Sequence, residues 1–184
     1  MSRLYSSMKI FFRNKKSPAF QRELYELHFR RIYNTCLRII GNPQDAEETM
    51  HDVFLKLFDK IEDLHDEKAF YSWSQRVTIR TAIDRVRAKS KLVFEQIENK
   101  QIENLPDADD EPEEEMELSV EDVKRELNNL PDGYRIVLSM RLFEECEFEE
   151  IAKVLQIKVS TVRSQYVRGR DKLAEKLKQL KIKN

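Results

Sequence analysis

The sequence predicts an all-α protein made of two small helical domains joined by a flexible acidic linker, and three observations lead there. The 184 residues include only 3 Gly and 5 Pro, too few for a turn-dense β fold and suited to helices with short connections. Apolar residues recur at three- and four-residue spacings along most of the chain. Charge, near balance overall at −1, is segregated along the sequence. Residues 1–94 hold 18 basic and 12 acidic side chains, residues 95–122 hold 1 and 13, and residues 123–184 hold 14 and 9. The acidic stretch contains Pro106, Pro112 and the run Asp109-Asp110-Glu111-Pro112-Glu113-Glu114-Glu115. Such a composition repels itself and buries little. The expected organisation is a helical domain at 18–94 of three to four helices, a linker at 95–117 and a helix-turn-helix domain at 118–180. The alternative is one domain with a solvated acidic loop.

Several classes drop out on the same evidence. The longest apolar runs, Ile10-Phe11-Phe12 and Leu92-Val93-Phe94, are far too short to span a bilayer. The N-terminal segment lacks the apolar stretch of a signal peptide. Cys36 and Cys146 alone make neither a disulfide framework nor a cysteine-rich metal site. A soluble, cytoplasmic protein is expected.

In the first domain, Tyr25, Phe29, Ile32, Cys36 and Ile39 share one helical face. Gly41 ends that helix, and Asn42-Pro43 opens the next, because Asn accepts from free backbone N–H groups while Pro sits where no donor is needed. Ala46, Met50, Val53, Leu57 and Ile61 form a second stripe, with Asp45, Glu48, His51 and Asp52 on the outer face. Acidic groups near a helix start suit its dipole. A third helix begins near Glu67, carries Phe70, Trp73, Val77, Ile79, Ile83 and Val86, and is dense in cations: Arg76, Arg80, Arg85, Arg87, Lys89 and Lys91.

In the second domain, Leu130-Pro131 closes one short helix and starts another that runs to Phe143. A third spans about 148–155, with Phe148, Ile151, Ala152 and Leu155 facing inward. Ser160 is the expected N-cap of a long last helix whose buried side carries Val162, Tyr166, Leu173 and Leu177. A small Ala152 and a tight connection are what two closely crossing helices need. Thr161, Arg163, Ser164, Gln165 and Arg168 would then donate to phosphates and base edges in a major groove.

The plainer readings stand beside these. Trp73 lies on the stripe with Phe70 and Val77 and suits a packed core better than a base-stacking platform. The Asp45/Glu48/Asp52 patch is a charged surface rather than a metal site, since helix-surface carboxylates are ordinarily solvated. His28, His51 and His65 are far apart, so no zinc set is formed. No phosphate loop, nucleophile elbow or Ser/His/Asp set is present, so no catalytic residue, metal or cofactor is expected.

Three stretches resemble the sigma-70 family of RNA polymerase sigma factors, extracytoplasmic-function (ECF, group IV) type. Asp-Ala-Glu-Glu-Thr-Met-His-Asp-Val-Phe-Leu-Lys-Leu-Phe at 45–58 is similar to the family's polymerase-binding helix. Phe70 to Arg87, with Trp73 and Ile83-Asp84, resembles its promoter-melting helix. Leu130-Pro131, Tyr134-Arg135, Glu149-Glu150-Ile151-Ala152 and Ser160-Thr161-Val162-Arg163-Ser164 resemble its C-terminal helix-turn-helix.

The resemblance implies that Asp45, Glu48, His51 and Asp52 dock on the clamp helices of the largest subunit of bacterial core RNA polymerase. It implies that Trp73, Arg76, Arg80, Asp84, Arg85, Arg87 and Lys89, with a loop at about 62–75, open the minus-ten promoter element. It further implies that Ser160, Thr161, Arg163, Ser164, Gln165 and Arg168 read the minus-thirty-five element as duplex, and that an anti-sigma factor is a further partner. The chain departs from the family pattern at Arg80 (commonly Asn), His51 (Gln), Glu147 (Ser or Thr), Gln156 (Gly) and Gln165 (Arg).

The expected function is that of an alternative sigma factor. A stand-alone helix-turn-helix regulator is the alternative, and a metal-dependent nuclease using the 45–52 carboxylates the remotest. Between two basic segments, the acidic linker is also placed to cover their DNA-binding faces in the free protein.

Overall fold

The computed structural model describes residues 17–61, 67–89 and 119–183. Within them every element is helical, and the helices fall into two compact units. The acidic linker 95–117 and residues 62–66 lie outside the described residues, together with the linker-shielding expectation, while residues 67–75 of the loop expected at about 62–75 are helical.

The first unit holds α1 (Pro18–Ile40), α2 (Pro43–Lys60) and α3 (Glu67–Lys89), each packed on the other two. Local chemistry sets the corners. Ser17 caps α1 by accepting from the Phe20 N–H at 3.2 Å, with Pro18 in the first turn. Gly41 takes the left-handed conformation, φ 77°, and its N–H donates to the Leu37 carbonyl at 2.7 Å. That backbone region is open to glycine without steric cost. One residue later Asn42 Oδ1 accepts from the Asp45 N–H at 3.0 Å and starts α2. All five residues of the second stripe, Ala46, Met50, Val53, Leu57 and Ile61, are buried with Ile32, Cys36 and Phe70. Burying each large one contributes roughly 1.5–3 kcal/mol.

Helix α3 has no single apolar stripe, because it meets two neighbours through hydroxyls as well as hydrocarbon. Ser74 and Thr78 are buried and donate to the carbonyls of Tyr71 and Ser74 at 2.9 and 2.7 Å. Arg31 of α1 donates to Ser74 Oγ at 2.6 Å, and Lys56 of α2 donates to Thr81 Oγ1 at 3.0 Å. Buried hydroxyls are tolerated because they are bonded in this way.

The second unit holds α4 (Val120–Asn128), α5 (Asp132–Leu142), α6 (Phe148–Leu155) and α7 (Val159–Lys183). Ser119 and Asp122 form a reciprocal capping box that opens α4. Arg135, buried, donates to the Leu130 carbonyl at 3.3 Å and pairs with Asp132 at 2.8 Å, fixing the α4–α5 corner. Helix α7 packs on α4, α5 and α6. Gly169 lets α5 come close: a Cβ there would lie 3.1 Å from Tyr134 Cβ and 3.2 Å from Leu138 Cδ1.

One detail differs from the sequence expectation. Ser160 is not the cap of α7. The helix starts at Val159, and the Val162 N–H donates to the Lys158 carbonyl at 3.1 Å, so Lys158 holds the cap position. The turn before it carries Gln156 in the left-handed conformation, φ 58°, ψ 42°, where it ends α6 without a glycine.

Candidate nucleic-acid and protein-binding interfaces

Helix α2 turns Glu48, His51 and Asp52 to solvent. The His51 ring stacks on Tyr25 of α1, centroids 6.5 Å apart and planes 9° from parallel, and Tyr25 packs in turn on Phe54 at 4.6 Å. An aromatic support therefore orients His51 at the surface. Leu55, one turn further along, is 68% exposed. Sequence reasoning missed it, although an apolar residue off the buried stripe Val53-Leu57 was the available signal.

Asp45 stands apart from the other three. It is only 7% exposed, and its carboxylate accepts from Arg85 at 2.9 Å and from Lys89. The same Arg85 NH2 group bonds Glu48. The Lys89 and Arg85 hydrogen bonds hold the Asp45 carboxyl below the usual aspartate range, and Asp45 raises the Arg85 guanidinium in return. Thus Asp45 and Glu48, expected at a protein interface, and Arg85 and Lys89, expected on DNA, meet in one ion cluster between α2 and α3. The reason is tertiary: the last two turns of α3 run beside the first turn of α2. Arg85 and Lys89 are committed to carboxylates in this structure.

Along α3, Arg76, Arg80 and Asp84 are exposed, and Arg87 pairs with Asp84 at 3.7 Å. Trp73 is half-buried, edge-on to Phe70 at 6.3 Å and packed against the core, as the plainer reading of it had it. Tyr71 is 51% exposed, with the Arg31 guanidinium 4.2 Å from its ring centre. His28 packs on Phe70 at 4.9 Å, and burial, aided by the Arg31 charge, lowers its pKa to about 4.

In the second unit, α7 presents Ser160, Arg163 and Arg170 outward, with Thr161 and Arg168 half-exposed. Ser164 and Gln165 are corrections to the expected reading face. They are 6% and 5% exposed and point inward, so neither side chain reaches a groove. Helix α7 packs against both α5 and α6, and a helix between two neighbours buries more than one face. Lys158 and Arg170 are exposed cations on or beside this helix that the sequence reading left out; for Arg170 the signal was its place two turns beyond Arg163 on one face. Arg163 lies 5.8 Å from the Phe148 ring centre and 3.7 Å from the Glu149 carboxylate.

Among the described residues no group of three or more His, Cys, Asp or Glu side chains is arranged to hold a metal, and no helix is long and apolar enough to cross a membrane.

Comparison with known proteins agrees with these two units. Residues 24–92 match the family model for sigma-70 region 2, and residues 120–173 match that for sigma-70 region 4. The chain is 28% identical over 166 residues to the ECF RNA polymerase sigma factor SigW of Bacillus subtilis, covering 86% of this chain and 89% of that protein. It is 29% identical over 158 residues to the ECF RNA polymerase sigma factor SigE of Mycolicibacterium smegmatis, covering 84% of this chain and 60% of the relative. Its fold resembles that of the sigma factor RpoE from Bartonella quintana, solved with the anti-sigma factor NepR. There the TM-score is 0.55 at 18% identity, over 85% of this chain and 96% of the other.

Proposed function

The chain belongs to the sigma-70 family, extracytoplasmic-function type, and is an alternative sigma factor directing promoter recognition; we propose that its two helical units divide that work between polymerase docking with strand opening and duplex reading. The observation that carries the division is the order of the two matched regions, each on its own compact unit.

In the first unit, Glu48, His51, Asp52 and Leu55 form the exposed surface offered to the clamp helices of core RNA polymerase. An apolar side chain ringed by polar ones is the composition of a protein-binding spot. Asp45 backs this surface from below, held by Arg85 and Lys89. Arg76 and Arg80 on α3, with Tyr71 near its start, supply the cations and the aromatic surface that hold a displaced strand against restacking. Asp84 and Arg87 border them, and Trp73 supports the helix from inside. Here Arg85 and Lys89 position the docking helix instead of contacting the minus-ten element.

In the second unit, Ser160, Thr161, Arg163 and Arg168 approach the minus-thirty-five element, with Lys158 and Arg170 as phosphate contacts. A recognition helix reads base edges from its first turns while cations at its flanks fix register. Ser164 and Gln165 support the helix from within. The protein works in the cytoplasm without catalysis of its own, and an anti-sigma factor is a further partner, as in the RpoE complex.

The test is binding to purified bacterial core RNA polymerase. Asp52→Lys and Leu55→Glu, both on the solvent side of α2, are expected to weaken binding at least tenfold, whereas Arg163→Ala leaves it unchanged. Absence of polymerase binding by the wild-type chain, with duplex DNA still bound, would support the stand-alone regulator instead.

A further inference from the structure

The turn between α5 and α6 and the first turn of α6 carry five glutamates, Glu144, Glu145, Glu147, Glu149 and Glu150, within seven residues, and Glu149 reaches the reading helix. Two of them hold arginines around one aromatic ring. Glu147 pairs with Arg141 at 3.0 Å, and Glu149 pairs with Arg163 at 3.7 Å. The two guanidiniums lie 5.0 and 5.8 Å from the centre of the Phe148 ring, which rests edge-on against Tyr166 of α7 at 5.4 Å. Burial chiefly, with Glu150 and Glu144 adding to it, pushes the Cys146 thiol up to about 11.

We propose that Glu149 is a specificity-determining residue of duplex recognition, holding Arg163 beside Phe148 so that a phosphate must displace a carboxylate to reach it. The inference rests on the reading of α7 as the duplex-binding helix. Binding to random DNA is almost entirely attraction between cations and phosphates. A carboxylate next to the leading cation offsets that attraction and also repels the backbone itself. Base-edge hydrogen bonds form at short range from the same guanidinium fork, so a matching site recovers what the carboxylate takes away while a random site does not. Discrimination of this kind comes from a repulsive element as much as from an attractive one. Glu149 suits the role because its side chain is 65% exposed, so it is not retained for packing.

The experiment uses the full chain with a short duplex of random sequence across a salt series. Glu149→Gln is expected to tighten binding by about two- to fivefold at low salt, the range an exposed ion pair covers. It should also steepen the salt dependence by up to about one in log–log slope and blur the sequence preference recovered by selection from a random duplex pool. In an Arg163→Ala background the same substitution should gain less, because only the direct repulsion between the Glu149 carboxylate and the phosphates is then left to remove. Unaltered affinity and slope, or weaker binding by Glu149→Gln, would overturn the inference. If Arg163→Ala weakens duplex binding while Glu149→Gln has no effect, this inference alone fails. If Arg163→Ala has no effect either, the duplex-reading assignment of α7 fails with it. If neither form binds duplex while the chain still binds core polymerase, the inference is overturned and the sigma reading stands.

Discussion

His28 and Gln156 show what single residues contribute to this fold. His28, between Phe70 and Arg31, has its pKa lowered to about 4 from 6.5, chiefly by burial. Between those two values the unfolded chain binds a proton that the native unit refuses, so native stability rises with pH across that window and is level above it. The slope is at most about 1.4 kcal/mol per pH unit, and less in practice because the ring keeps some access to water. His28→Gln should flatten the dependence, which thermal melting of both forms at pH 7.5 and pH 5 would reveal. The depressed Asp45 carboxyl acts in a lower window: its contribution is complete above pH 3.8 and is lost as pH falls through the still lower native value. Gln156 carries a left-handed backbone that costs an L residue about 1 kcal/mol or more relative to glycine. Part of that difference is offset by the greater freedom of glycine in the unfolded chain. Gln156→Gly is therefore expected to stabilise the second unit by roughly 0.5–1 kcal/mol, visible as a rise of a few degrees in its melting transition.

At the scale of helices, much was legible where the signal is local, and little where it depends on a neighbour. Gly41 and Asn42-Pro43 mark their corner by rules that act within four residues, and the structure places the cap hydrogen bonds there. The stripe Ala46-Met50-Val53-Leu57-Ile61 identified the inner face of α2 because that helix has one buried side. Helix α7 has several, so its stripe of Val162, Tyr166, Leu173 and Leu177 did not reveal that Ser164 and Gln165 also turn inward. The pairing of Asp45 with Arg85, forty residues apart in sequence, has no local signature at all. Gly169 is a further such case: nothing near it in sequence says that α5 passes so close that an added Cβ would lie 3.1 Å from Tyr134 Cβ. Gly169→Ala gains about 1 kcal/mol of helix propensity, yet overpacking commonly costs about 1–3 kcal/mol. Tyr134 Cβ cannot rotate aside and Leu138 is fully buried, so the cost should prevail. A net loss of about 1 kcal/mol in the second unit is expected from denaturant titration, with the first unit's transition unmoved.

Over the whole molecule, the two-part organisation was legible in composition before any contact was known, as two basic segments around one acidic stretch, whereas the roles of the two parts came only from the family resemblance. The matched regions fall on the same two segments, in the same order. On the proposed division of labour, one unit opens a promoter on the polymerase while the other selects it as duplex. The most direct test is transcription from a genomic fragment pool by purified bacterial core RNA polymerase supplemented with this chain. The expected result is a set of discrete new start sites whose upstream sequences share two elements at a fixed spacing. Arg163→Ala should lose sites in order of their dependence on the upstream element, and Arg76→Ala with Arg80→Ala should impair strand opening at all of them. A chain that binds the polymerase and duplex DNA yet yields no new start sites, or yields sites sharing no common elements, would contradict the account.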